Sequence, residues 1–165
     1  MSGDEIAIYK AVLLQWIAGD RTALKVALQT YPLEPFSEAG STPCECLRNI
    51  DVQTLAATSR SFHNLPREIL PRKNVRLVDA DEYSKTTSSK DVGSARDYPG
   101  DPSMADVANG VFSMSEIAFD REHRRALVSY SFTCGLLCGS GLTIVFEKID
   151  GEWRGIKVEC SGWAS

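Results

Sequence analysis

The chain has 165 residues, with 22 acidic and 18 basic side chains, five cysteines and two histidines, for a net charge of -4. That length suits one compact domain that buries roughly two thirds of its unfolded surface, so neither a metal nor a disulfide is needed simply to fold. Hydrophobic residues at 43% and charged residues at 24% exclude a disordered or fibrous chain. The acidic balance, with a pI near 5.2, argues against nucleic acid or an anionic membrane surface as the main partner. With two histidines there is little room for a histidine-based metal site, and no cofactor is expected.

The opening Met1-Ser2-Gly3-Asp4-Glu5 has no basic stretch ahead of an apolar core, so no secretory signal is read in it. Ile6 to Ala18 is too short to span a bilayer and carries Lys10 and Gln15. Ile6, Tyr9, Leu13, Trp16 and Ile17 share one face of a helix, Ser2 and Glu5 have capping-box spacing, and Gly19 supplies a stop. Leu24, Val26 and Leu28 then alternate with Lys25, Ala27 and Gln29, the pattern of a short strand that Pro32 and Pro35 end, although the same residues also fit a helix. Residues 32–43 read as an exposed loop. Asp51 to Phe62 carries Val52, Leu55, Ala56, Ser59 and Phe62 at helical spacing, with Asp51 as N-cap and Pro66 and Pro71 as breakers. Val75 to Val78 is a small strand.

Residues 84–110 are polar, rich in Ser, Thr and Lys, and contain the turn chemistry of Tyr98-Pro99-Gly100-Asp101-Pro102, which predicts a long surface loop. Four strands follow: Val111–Phe119, Ala126–Cys134, Leu142–Ile149 and Trp153–Ser161. Val128, Tyr130 and Phe132 alternate with Ser129, Ser131 and Thr133, so one face is expected to be buried and the other wet. Leu142, Ile144 and Phe146, then Ile156, Val158 and Cys160, continue the inward set. A loop of Ile149, Asp150 and Gly151 would set Ile144 opposite Ile156, whereas a two-residue Asp150-Gly151 turn would set Ile144 opposite Lys157. The first register keeps the apolar residues together and is the expected one. The fold class predicted is therefore α+β: N-terminal amphipathic helices packed on a C-terminal antiparallel meander of four or more strands, in a single domain over 1–165.

Several segments resemble a family of uncharacterised bacterial proteins that typically carry an N-terminal export signal. They are Tyr98-Pro99-Gly100, Ser115-x-Ile117-x-Phe119, Ala126-Leu127-Val128, Gly135-x-x-Cys138-Gly139-x-Gly141 and Glu147-Lys148-x-x-Gly151-x-Trp153. The stretch Ile6 to Leu13 is similar to that family's opening A-V-Y-x-A-V helix. The likeness spans most of the chain and is most specific in its last third. It implies a strand after the first helix and export to a periplasmic or extracellular location, with the cytoplasm as the alternative. This chain departs from the pattern in the extra polar residues around 84–97 and in Cys44-x-Cys46. The family brings no activity and no catalytic residue.

The cysteines are read first as disulfide candidates. Cys134 and Cys138 lie four apart in a turning loop and are the first pairing expected; Cys138 with Cys160 is the second, and free thiols the third. Cys44 and Cys46 form a loop bridge or plain thiols, since zinc pairs prefer wider spacing and no redox context surrounds them. The glycines of Gly135-x-x-x-Gly139-x-Gly141 run from strand to strand and lack the helix that a phosphate loop needs. His63, His123 and the acidic Asp79, Asp81 and Glu82 read as surface residues.

The expected function is a non-enzymatic domain, inhibitor- or immunity-like in one form, that binds a protein or a surface ligand, with no membrane insertion. Candidate contact residues are Tyr98, Asp101, Arg121, Arg124, Arg125 and Trp163. The alternatives are a thiol-dependent or hydrolytic enzyme pairing a cysteine with His63 or His123, and a structural accessory domain.

Overall fold

In the computed structural model the chain is described over residues 1–17, 24–33, 60–81, 110–135, 138–156 and 162–164. The first helix, α1, runs Gly3–Ile17. Its start is the predicted capping box: Glu5 N donates to Ser2 Oγ at 3.3 Å while the Glu5 carboxylate reaches back to the Ser2 amide. The face that α1 buries holds Ile8, Tyr9, Val12, Leu13 and Ile17. Ile8 and Val12 thus join the expected stripe, each such aliphatic side chain being worth roughly 1.5–3 kcal/mol when fully removed from water.

The strands are β1 (Leu24–Ala27), β2 (Val75–Val78), β3 (Val111–Met114), β4 (Ala118–Phe119), β5 (Arg125–Gly135), β6 (Cys138–Ile149), β7 (Glu152–Ile156) and β8 (Gly162–Ala164). They form one sheet in the order β2-β1-β3-β5-β6-β7, with β4 on β5 and β8 on β6. The protein is α+β, with its N-terminal helix packed on a mixed sheet that ends in the antiparallel β5-β6-β7 meander. The strand read at residues 24–30 is present, but it runs parallel to both neighbours, β2 and β3. The meander is therefore one part of a wider sheet. Of the second helix expected over 51–62, all but the last three residues lie outside the described residues. Arg60 to Phe62 are not helical, and Phe62 is exposed. The polar loop expected at 84–110 also lies outside them, apart from Gly110.

The main core lies between α1 and one face of the sheet. Phe112, Met114, Ala126, Val128, Phe132, Ile144, Phe146 and Trp153 contribute from the strands, with Leu24 and Val26 from β1. Trp16 of α1 sits over an aromatic group, with ring centroids 5.1 Å from Phe112, 5.3 Å from Tyr130 and 5.4 Å from Phe132. The expectation of a wet opposite face needs correcting. Ala27, Val111, Ala118, Leu127, Thr143 and Val145 point the other way and are also buried. Leu142, counted among inward residues, is instead exposed.

The β6–β7 hairpin overturns the expected register. Ile149 pairs with Glu152, Lys148 with Trp153 and Phe146 with Gly155, so the turn is the two-residue Asp150-Gly151. Both turn residues take positive φ, 53° and 83°, as a type I′ turn requires and as the right-handed strand twist favours. The pairing of Ile144 with Ile156 was the wrong criterion. The side chain that matters is Trp153, which this register turns into the core beside Phe146. Ile156 then lies opposite Val145. Gly155 opposite Phe146 leaves room for the phenyl ring and for Gln15 of α1.

Trp153 also anchors the start of α1. Lys148 Nζ lies 5.4 Å from the indole centroid and donates to both Asp4 carboxylate oxygens at 3.0 Å. The Asp4 carboxyl is held below the usual carboxylate range, first by the neighbouring indole and then by Lys148. A depressed carboxyl stabilises the fold above its unfolded value and loses that contribution as pH falls through the folded one. Asp4→Asn is therefore expected to lower the urea midpoint slightly at neutral pH, with the difference from wild type vanishing as pH falls through the folded value. A difference that persists in acid would show that the charge is not its source.

Candidate functional site

The sheet carries a buried charge, Glu116, in a cluster whose members come from three separate segments. Beyond β1, Thr30 and Tyr31 continue toward the connection between β3 and β4. Tyr31 N donates to Met114 O at 3.0 Å and Glu116 N donates to Tyr31 O at 2.8 Å. This detour explains why the strand expected over 111–119 is interrupted: residues 115–117 turn toward Tyr31 before β4 rejoins β5. Ser115 helps to hold the bend, its Oγ donating to Glu116 O at 2.7 Å and accepting from Ser129 N at 2.9 Å. From α1, Tyr9 Oη donates to Ser115 O at 3.0 Å. Burial above all, then the charges of Glu116 and Glu5, raises the Tyr9 phenol well above its ordinary value and keeps it a donor.

On the outer side of Thr30 lies a short strap, residues 60–65. Thr30 N donates to His63 O at 3.0 Å, Leu65 N to Leu28 O at 2.8 Å, and His63 N to Thr30 Oγ1 at 2.8 Å. The Glu116 carboxylate lies under the strap. Both of its oxygens are 2.9 Å from His63 Nδ1, and one also accepts from Thr30 Oγ1. The His63 side chain is 56% exposed and that of Glu116 only 6%. An ionised carboxylate accepts hydrogen bonds and cannot donate them, so Nδ1 carries the proton and Nε2 faces outward. Next to it, Phe62 is 60% exposed.

His63, read from sequence as a surface residue, is thus half of a fixed pair, and Glu116 was missed. A signal was available: a glutamate midway along an apolar stretch is almost never buried without a partner. His123 stays at the surface, stacked on Phe119 at 4.8 Å in the β4–β5 turn.

Those of the other sequence-derived residues that are described do not join this cluster. Cys44, Cys46, Tyr98, Asp101 and Cys160 lie outside the described residues. Cys134 is disulfide-bonded. It therefore offers no thiolate to His63, and the pairing order is not decided. Cys138 opens β6 in register with Gly135, and Trp163 in β8 with Gly141. Arg121 and Arg124 are exposed, Arg124 beside Glu122 at 3.6 Å. Arg125 is a correction: its side chain is only 16% exposed and lies 3.2 Å from Glu147, so it belongs to the sheet and not to an open basic surface. Asp79 accepts from Asp81 N at 2.9 Å in a local turn beside a shallow depression lined by Ala27, Leu28 and Gln29.

Among the described residues no cluster of three or more His, Cys, Asp or Glu side chains is placed to hold a metal ion, and no helix is long and apolar enough to cross a membrane. The chain matches no protein-family model, no curated protein and no solved structure. Fold and site together define an α+β domain with one rigidly held, solvent-facing histidine.

Proposed function

We propose that the protein is a small exported bacterial domain that binds another protein or a surface ligand, in an inhibitor- or immunity-like role, and that the strap at 60–65 is its point of contact. The observation that carries this reading is the pairing of Phe62, 60% exposed, with a backbone fixed immediately after it, at His63 and Leu65. Exposed aromatic side chains on preorganised backbone make effective binding anchors, because little ordering cost remains to be met on association. The likeness to exported bacterial proteins supports the location, and the net charge of -4 supports a protein or ligand over nucleic acid.

The test uses tagged wild type and Phe62→Ala to capture partners from the secreted and periplasmic fractions of the native organism. A protein retained by wild type whose affinity for the folded variant falls roughly tenfold or more supports the reading. Equal retention by both proteins would remove the strap from the interface and leave a structural accessory role.

A further inference from the structure

We propose that His63 Nε2 is a nucleophilic acceptor site for acyl groups from activated acyl donors, with the buried Glu116 carboxylate as its positioning residue. The inference goes beyond the binding reading and does not depend on it.

Three features of the cluster point to a reactive imidazole and not merely a latch. First, the ring is fixed at both ends. Its backbone is tied to Thr30 by two hydrogen bonds, and Nδ1 sits 2.9 Å from each carboxylate oxygen. Second, the tautomer this imposes leaves the Nε2 lone pair on the open side, in a side chain 56% exposed. No partner for Nε2 is found among the described residues. Third, the partner is a charge where a neutral group would serve. A buried carboxylate is costly to desolvate, and holding a strap requires only an acceptor such as a glutamine carbonyl. The charge has a distinct consequence only when the imidazole itself becomes positive, which happens when Nε2 takes a proton and equally as it attacks an electrophile. A carboxylate preorganised on Nδ1 then stabilises the developing cation without reorganising.

In that step Nε2 forms a bond to the acyl carbon, and the bond from that carbon to the donor's leaving oxygen breaks with its electron pair. The Nδ1 proton passes to Glu116 or to the departing anion, leaving a neutral acyl-imidazole. Water hydrolyses it to the free acid and restores His63. His123 supplies an internal comparison: it is also exposed, yet its ring stacks on Phe119 and makes no hydrogen bond to a carboxylate among the described residues.

Diethyl pyrocarbonate is a suitable probe, with modification at each histidine followed by peptide mass. In the folded wild type His63 should react roughly tenfold faster than His123, and Glu116→Gln should remove most of that advantage while leaving His123 unchanged. Nitrogen-15 spectra of the ring should show the Nδ1–H tautomer in wild type. Equal rates at the two histidines in folded wild type would overturn the proposal. So would an unchanged His63 rate in a folded Glu116→Gln protein. Should that variant not fold, the wild type alone decides, because a His63-to-His123 ratio no greater in the native chain than in urea is also fatal.

Discussion

Phe146→Ala is expected to cost about 3–5 kcal/mol, a large fraction of the stability of any domain of this size. Phe146 is 1% exposed in β6, between β5 and β7, and packs in the main core. Its cross-strand neighbours are the smallest available, Ala126 on β5 and Gly155 on β7. The ring fills the space those two residues leave, and neither can move inward to close a cavity. Urea unfolding should show a lower midpoint with an unchanged slope. A loss below about 1 kcal/mol would mean that the sheet collapses around the gap.

Gly110→Ala should be the most damaging change that adds only one carbon. A Cβ at that position would lie 2.1 Å from Phe132 Cζ and 2.4 Å from Cε2, well inside any real contact. The Phe132 ring is buried and is itself covered by Trp16, so moving it disturbs the contact between α1 and the sheet. Overpacking of this kind costs about 1–3 kcal/mol, and more where the neighbour has nowhere to go. The cause can be isolated with a second substitution. In a Phe132→Leu background Gly110→Ala should cost clearly less, giving a favourable coupling in the double-mutant cycle. Additive losses would assign the effect to the backbone and not to the ring.

Much of the local structure was legible because it depends on neighbours in sequence. The Ser2–Glu5 cap, the α1 stripe, β1, β2 and the two long strands β5 and β6 all follow from residue type and spacing. What failed depended on partners far along the chain. The Asp150-Gly151 turn was set aside in favour of an aliphatic pairing, because periodicity weighed Ile156 above Trp153; turn chemistry and the larger side chain decide the register. The face carrying Ser129, Ser131 and Thr133 was expected to be wet, yet Leu127 and Val145, opposite α1, are buried. Parallel pairing of β1 between β2 and β3 cannot be read from any single segment. The same holds for the candidate site. Thr30, His63 and Glu116 are separated by 33 and 53 residues, and only the unexplained charge in the apolar stretch 111–119 hinted at the cluster.

The account rests on Glu116 holding the strap against the extension of β1. Amide hydrogen exchange tests it most directly, at Thr30, His63 and Leu65, whose N–H groups make the strap's hydrogen bonds. These three amides should be protected in wild type and exchange much faster in Glu116→Ala, which leaves no acceptor under the strap, while amides within β5 and β6 keep their rates. Unchanged protection of Thr30, His63 and Leu65 in the variant would contradict it.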